Sequence, residues 1–298
     1  MLRSLYSGVS GMKSFQTKMD VIANNIANVN TTAFKSSRAR FQDMLSQTLS
    51  SAQEPGENIG GVNPRQVGLG VRVGSIDAMM ENGALQPTNR ELDFAIEGSG
   101  FFAVSSMFSG DEPQEILYTR DGGFFRDSSG NLVNGNGEKV LGYLSEDGEE
   151  LDIPEDGISD SDLRALTIPE TNPNDDDQDL QSFTIDGTGT ITAVYSGEGG
   201  VSTVTLGRIA ITSFSTPEGL GKRGNNNYEA TNNSGTATYG SAGDAGFGVV
   251  RQGFLEMSNV DLANEFTEMV IASRAYSANS RSITTSDEML QELINLKR

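Results

Sequence analysis

The 298-residue chain contains no cysteine, no histidine and no tryptophan. The first absence excludes disulfides, thiol nucleophiles and thiolate metal sites, and the second excludes every catalytic triad built on imidazole. The third leaves no indole platform on which a sugar could stack. Long hydrophobic runs are missing as well: no eighteen consecutive apolar residues occur, so no membrane-spanning helix is predicted. The opening MLRSLYSGVSGMKSF lacks the continuous apolar region and small-residue cleavage site of a secretory signal, so export would need another route. Positive charge is scarce. Against 41 Asp and Glu stand 21 Lys and Arg, a net charge of −20 that argues against a nucleic-acid partner. Carboxylates, hydroxyls, lysine and tyrosine are what remains for chemistry, and with 41 acids a carboxylate pair is expected by chance.

The charge is unevenly spread. Residues 1–50 carry six basic groups against Asp20 and Asp43, whereas 145–186 carry fifteen carboxylates against Arg164 alone. Apolar periodicity is strongest at the two ends. Leu262, Met269, Tyr276, Ile283 and Leu290 recur at an unbroken seven-residue interval, the seam of a long helix over 261–298. The row four residues further on, Phe266, Ser273, Ser280, Asp287 and Ile294, is apolar only at its ends. Ser258 and Asn259, followed by Asp261, offer capping oxygens and first-turn negative charge for its start. At the other end Leu5, Val9, Met12, Phe15, Met19, Ile22, Ile26 and Val29 fall three or four apart and predict a second, coiled-coil-like helix that frays at Asn28, Asn30 and Thr31. A helix on the order of 54 Å long is not covered by one small domain. A solitary amphipathic helix is also marginal in water, so both helices call for partners of comparable length.

Between them the pattern changes. Residues 36–65 read as a connecting segment in which KSSRARFQDMLSQTLSSAQEP continues partly helical and PGENIGGVNP forms a linker. Strand-like runs VGLGVRVGSI, ELDFAIE, GFFAVSS and EILYTR follow. The turn pairs Asn82-Gly83, Asp121-Gly122, Ser129-Gly130, Asn134-Gly135 and Asn136-Gly137 bound them. This predicts a β domain over 66–144 and 206–255, with 145–205 as an exposed acidic insertion that forms a small outer subdomain. With terminal-helix segments 1–35 and 256–298, the fold class is α+β: a mostly-β centre framed by long N- and C-terminal helices.

Three motif readings fail on context. Gly98, Gly100 and Ala103 have the spacing of a dinucleotide fingerprint, but an apolar strand follows instead of a helix whose N-terminus could hold a pyrophosphate. Asp175, Asp176, Asp177 and Asp179 offer oxygens to a hard cation without the glycine and terminal glutamate of a calcium loop. A glycosidase-like acid pair would have to be assembled by the fold, with no sugar platform beside it. No catalytic residue, cofactor or metal is therefore assigned. Two classes stand: a structural protein that assembles through its terminal helices, and an α+β enzyme or binding module in which those helices pack on their own β core. Helix length and the Gly/Pro/Asn break near residues 55–64 favour assembly.

The residues also carry a resemblance. SLYSGVSGMKSFQTKMDVIANNIANVNTTAFKSSR at 4–38, ELDFAIEGSGFFAV at 91–104, YTRDGGFFRDSSGNLVNGNGEKVLGY at 118–143 and the tail from Ser258 resemble the flagellar rod and hook family of axial proteins. The resemblance implies a non-enzymatic protomer that polymerises helically, its terminal helices packed with those of other copies as an inner tube. It implies as partners further copies, rod, hook-cap and hook–filament junction proteins and the type III export apparatus, with no nucleic acid, no membrane insertion and no cofactor. The expected location is the extracellular hook or basal body, reached without a cleaved signal. Within the family AFKSSR and TTSDEMLQELINLKR resemble the hook, a flexible joint transmitting torque from rod to filament. The short length and YTRDGGF leave the distal rod, a rigid shaft, as the alternative. The assembly residues implied are the two helical rows, including Phe266 and Ile294. Ala33 stands where many relatives have glycine, and a left-handed backbone there would cost about 1–2 kcal/mol.

Overall fold

The structure, a computed structural model, describes residues 2–55, 60–110, 112–144, 163–172, 175–197 and 200–296. The chain forms two compact units. One comprises residues 1–29, 36–79 and 260–298, and the other comprises 30–35 and 80–259.

The first unit is a helix pair with a β ribbon. Helix α1 spans Leu2–Ala27 and α2 spans Leu262–Leu296. At the end of α1 the Asn28 amide folds back onto the Asn24 carbonyl at 2.9 Å, the local competition that ends a helix at short polar residues. The cap of α2 is Asp261 itself, not Ser258 or Asn259. Its Oδ1 accepts from the backbone of Ala263 at 2.9 Å and Asn264 at 3.4 Å, and its charge faces the positive end of the helix dipole. Among the described residues no helix is long and apolar enough to cross a membrane.

The segment expected to continue partly helical forms strands instead. Ser37–Asp43 pairs antiparallel with Val71–Ala78, Ser46–Ser50 pairs with Arg65–Gly68, and Gln53 bridges Val62. The reason is visible in SRARFQD, where Ala39 and Phe41 alternate with exposed polar residues at the period of a strand. Phe41 meets Phe15 of α1 edge to face at 5.4 Å, and the Ser10 and Ser14 hydroxyls bond the Val71 backbone. The boundary expected after residue 65 thus falls at 79/80.

The second unit is built on one antiparallel sheet. Its main path runs Thr171–Asn172, Asp175–Ile185, Thr190–Gly197, Gly200–Ser213, Lys139–Leu144, Phe101–Ser109, Glu112–Thr119, Asn227–Glu229 and Gly221–Gly224. Gly200–Ser213 is its spine, pairing with Thr190–Gly197 along its length and with Lys139–Leu144, Phe101–Ser109 and Thr238–Ser241 towards its end. Because side chains alternate along a strand, neighbours fall into different cores. Phe102, Val104, Val140 and Ile209 join a cluster with Phe94, Phe124 and Tyr195, while Phe101, Ala103, Leu141 and Ala210 join one with Tyr118, Phe214 and Tyr228.

The expected acidic insertion is corrected by this sheet. Asp175–Ile185 and Thr190–Gly197 extend it, and Ile185, Ile191, Ala193 and Tyr195 belong to the first cluster. Within it SFTIDGTGTITAVYS and VSTVTLG carry the apolar alternation of strands, and strands are what they form. Residues 145–162, its most acidic part, lie outside the described residues.

Candidate assembly surface

Helices α1 and α2 run antiparallel. Ser4 Oγ lies 3.3 Å from Ser286 Oγ, Lys18 pairs with Glu268 at 2.6 Å, and Asn25 Nδ2 donates to Glu265 Oε1 at 2.9 Å. Small residues let the backbones approach. Gly8, Gly11 and Ser14 are buried on α1, as are Ala272 and Ser286 on α2. A Cβ on Gly8 would stand 3.0 Å from Ile283 Cγ1, and one on Gly11 would stand 2.8 Å from Asn279 Nδ2.

The two expected apolar rows divide between this seam and solvent. On α1, Ile22 is buried, Leu5, Met12, Phe15, Met19 and Ile26 are half-buried, and Val9 is exposed; Val29, just past the helix, is half-buried. On α2, Met269, Ile283 and Leu290 are half-buried, whereas Leu262, Phe266, Tyr276 and Ile294 are exposed. The second row of the seam is Ala272, Asn279 and Ser286, three residues after the first row instead of four. A search for apolar residues passes over it. Its seven-residue recurrence in small residues is the signal that finds it.

Such a seam buries little apolar surface. Among the described residues of this unit, Ile22 and Ala272 are the buried hydrophobic side chains, and eighteen large hydrophobics are exposed. Eleven of these lie on the helices, including Val270, Ile271, Met289 and Leu293, and seven lie on the ribbon, where Leu45 is 84% and Leu49 61% exposed. Isolated apolar residues on a surface are ordinary; this density marks a surface that binds something. Of the ribbon, sequence reasoning read VGLGVRVGSI as strand and missed the arm at 37–50.

The second unit carries a different construction where the chain enters and leaves it. Lys35 Nζ lies 2.6 Å from Glu256 Oε1 and donates to the Glu81 carbonyl at 2.8 Å; Arg120 Nη1 lies 3.3 Å from Glu256 Oε2. Gly83 N donates to Glu256 Oε1 at 2.8 Å, and Ala33 N to the Glu256 carbonyl at 2.8 Å. All three charged side chains are buried. Burial pushes the Lys35 ammonium below its ordinary value against the pull of Glu256, and it lowers Arg120 likewise. The neighbouring Tyr228 hydroxyl is pushed up to about 12, chiefly by burial and further by the Glu256 charge. Ala33 has φ of 55°, the left-handed conformation that glycine would take freely. Gly98 and Gly100 also have positive φ, at 117° and 136°, and turn the chain into Phe101–Ser109, the strand that carries Ala103. Asp179 is exposed, and the side chains of Asp175, Asp176 and Asp177 lie outside the described set.

Comparison with known proteins agrees with this architecture. Residues 5–35 match the family "Flagella basal body rod protein", 95–193 match "Flagellar hook protein FlgE/F/G D1 domain", and 251–296 match "Flagellar basal body rod FlgEFG protein C-terminal". The chain is 46% identical over 299 residues to the flagellar basal-body rod protein FlgG of Bacillus subtilis, and 39% identical over 299 residues to that of Borreliella burgdorferi. It is 31% identical to the flagellar hook protein FlgE of Borreliella burgdorferi over 450 residues. In each comparison 100% of both chains is covered. Identity is thus higher to these rod proteins than to the hook protein. The chain belongs to the flagellar rod and hook family and is a structural, non-enzymatic subunit of the flagellar axis.

Proposed function

We propose that this chain is a distal-rod subunit that polymerises helically into a stiff tubular shaft, in place of the hook reading that its short motifs favour. Chain length carries the choice. The match to the rod proteins is co-linear over 299 positions, whereas the hook alignment runs to 450, so at least 152 of its positions have no residue here. The exposed apolar residues of α1, α2 and the ribbon are the contacts between copies, and small residues hold the two helices of each copy together. Leu5, Met12, Phe15, Met19, Ile22 and Ile26 then serve chiefly within the copy, and Val9, Leu262, Phe266, Tyr276 and Ile294 between copies. The remaining partners are the neighbouring axial proteins at either end of the shaft and the export apparatus that delivers the chain.

Electron microscopy of concentrated full-length protein tests the reading. Straight tubes are expected. Curved tubes would return the hook, and persistent monomers would sink assembly altogether. Removing residues 262–298 is expected to abolish tubes while keeping the near-ultraviolet circular dichroism of Tyr118, Tyr143, Tyr195, Tyr228 and Tyr239, all in the β unit.

A further inference from the structure

Three turn pairs of the β unit are Asn-Gly: Asn82-Gly83, Asn134-Gly135 and Asn136-Gly137. With no Cβ on the second residue, its backbone nitrogen is open to approach by the carbonyl carbon of the asparagine side chain, and the two reacting groups are already joined in one chain. A pair reacts where the fold lets that carbon swing onto the nitrogen.

Two of the three are held. Asn82 Oδ1 accepts from Arg120 Nη1 at 2.9 Å, Gly83 N donates to Glu256 Oε1 at 2.8 Å, and a Cβ on Gly83 would collide with the Met257 carbonyl oxygen. Asn134 Nδ2 donates to Glu138 Oε2 at 2.6 Å, and its Oδ1 accepts from the backbone of Asn136 and of Glu138, both at 3.0 Å. Asn136 is different. It is exposed, its side chain has no hydrogen-bond partner among the described residues, and a Cβ on Gly137 would meet nothing within 4 Å. One bond in the exposed turn, from Gly137 N to the Asn134 carbonyl at 3.0 Å, is what must open.

The turn is also tied to the interior. Glu138 is buried, and its carboxylate accepts from Asn134 Nδ2 and, at 2.8 and 2.7 Å, from Nδ2 of Asn227, itself buried in the strand Asn227–Glu229.

We propose that Asn136-Gly137 is a site of spontaneous covalent modification, with water as co-reactant, and that the change is felt at Asn227. Gly137 N attacks Asn136 Cγ: the N–Cγ bond forms, the Cγ–Nδ2 bond breaks, and the side-chain nitrogen leaves as ammonia with the former amide proton of Gly137. Water then opens the cyclic imide at either carbonyl, leaving aspartate or isoaspartate. Isoaspartate routes the main chain through Cβ and lengthens it by one carbon. Gly137 N and Glu138 N then lose their set distances to Asn134, and the Glu138 carboxylate loses its register with Asn227.

Two arms test it on the full chain. Samples kept folded and in urea at neutral pH, then digested for peptide mass spectrometry, read all three asparagines together. In urea they are expected to convert alike, since glycine follows each. In the fold Asn136 is expected to convert within about threefold of its urea rate, and Asn82 and Asn134 at least about tenfold slower, the factors for first breaking one exposed hydrogen bond or several. An Asn82 or Asn134 as fast as Asn136, or an Asn136 slowed as much as they are, overturns the site. In the second arm, the isoaspartate-bearing fraction is expected to show faster hydrogen exchange along Asn227–Glu229 than fresh protein. Asn136→Asp, which adds the charge on a normal main chain, is expected to leave that exchange unchanged. Equal exchange in the isoaspartate fraction and fresh protein overturns the coupling to Asn227.

Discussion

The two units of this chain differ in what they do with hydrophobic residues and charge. Among the described residues, the β unit has 33 buried hydrophobic side chains and five large exposed ones; the helical unit has two and eighteen. The helical unit carries eleven Lys and Arg against eleven Asp and Glu and is neutral, so the whole −20 belongs to the β unit. A neutral surface rich in exposed apolar groups is one that copies can pack against without self-repulsion, whereas a strongly charged unit with a closed core stays folded and resists random association. The β unit therefore has a closed core of its own, whereas most of the exposed large apolar side chains among the described residues lie on the helical unit.

The sharpest way to break this comparison is to attack the β unit where its stability is electrostatic. Glu256→Gln leaves Lys35 and Arg120 buried without their counter-ion, and removing one partner of a buried pair costs about 3–5 kcal/mol. Urea unfolding followed by tyrosine circular dichroism should show that loss. Replacing all three groups, as Lys35→Met, Arg120→Met and Glu256→Leu, is expected to recover at least half of it, since an apolar trio has no charge to strand. A triple variant no better than the single one would mean that hydrogen bonds to Glu81, Gly83 and Gly98, and not the charges, hold this cluster together.

The helical unit answers to a smaller change. Gly8→Leu places a bulky side chain where even a Cβ stands 3.0 Å from Ile283, and overpacking of this kind costs about 1–3 kcal/mol. Hydrogen exchange along α2 around Asn279 and Ile283 should accelerate while the β unit keeps its protection. Slower exchange, the result of the better helix propensity of leucine, would show that the seam tolerates a wider gap.

These sites also mark how far the sequence could be read. The helices were legible because a seven-residue recurrence is a local property of thirty or forty residues. Their seam was half legible: the large row from Met269 to Leu290 stood out, but Ala272, Asn279 and Ser286 carry no hydropathy contrast. The first arm of the ribbon was hidden because a strand such as SQTLS is short, mostly polar and exposed throughout, so no buried face imposes a period. The charge cluster had no local trace at all, since its partners are separated by 221 and 136 residues. The proposed rod reading is supported by chain length and not by the short motifs.

A weaker handle on the β unit is its pH dependence. Burial raises the Asp121 carboxyl above its ordinary value, although Gly123 N and Thr32 Oγ1 donate to it. The folded state thus holds this proton more tightly than the unfolded chain, and that contribution is full below the unfolded value of 3.8 and lost as pH rises through the folded one. Asp121→Asn does not titrate. Its stability relative to wild type is expected to improve between pH 3.5 and pH 7, read as a difference between urea midpoints so that the other carboxylates cancel. A flat difference would mean that Asp121 is as solvated in the fold as outside it.

The smallest effect is expected at Ala33, where opposing contributions nearly cancel. Its φ of 55° costs an alanine about 1–2 kcal/mol that glycine avoids. Against this, Ala33→Gly removes a methyl that is buried to 2% exposure, a loss of about 0.8 kcal/mol, and frees the unfolded chain at a cost of about 0.4–1 kcal/mol. The net change is expected to lie within about 0.8 kcal/mol of zero. Ala33→Val keeps apolar burial but puts a branched Cβ at positive φ, so it should lose well over 1 kcal/mol. The pair separates conformation from burial. If glycine and valine shift the urea midpoint alike, the backbone at residue 33 is not left-handed; if glycine stabilises by more than about 1.5 kcal/mol, the alanine stores strain in the turn that follows α1.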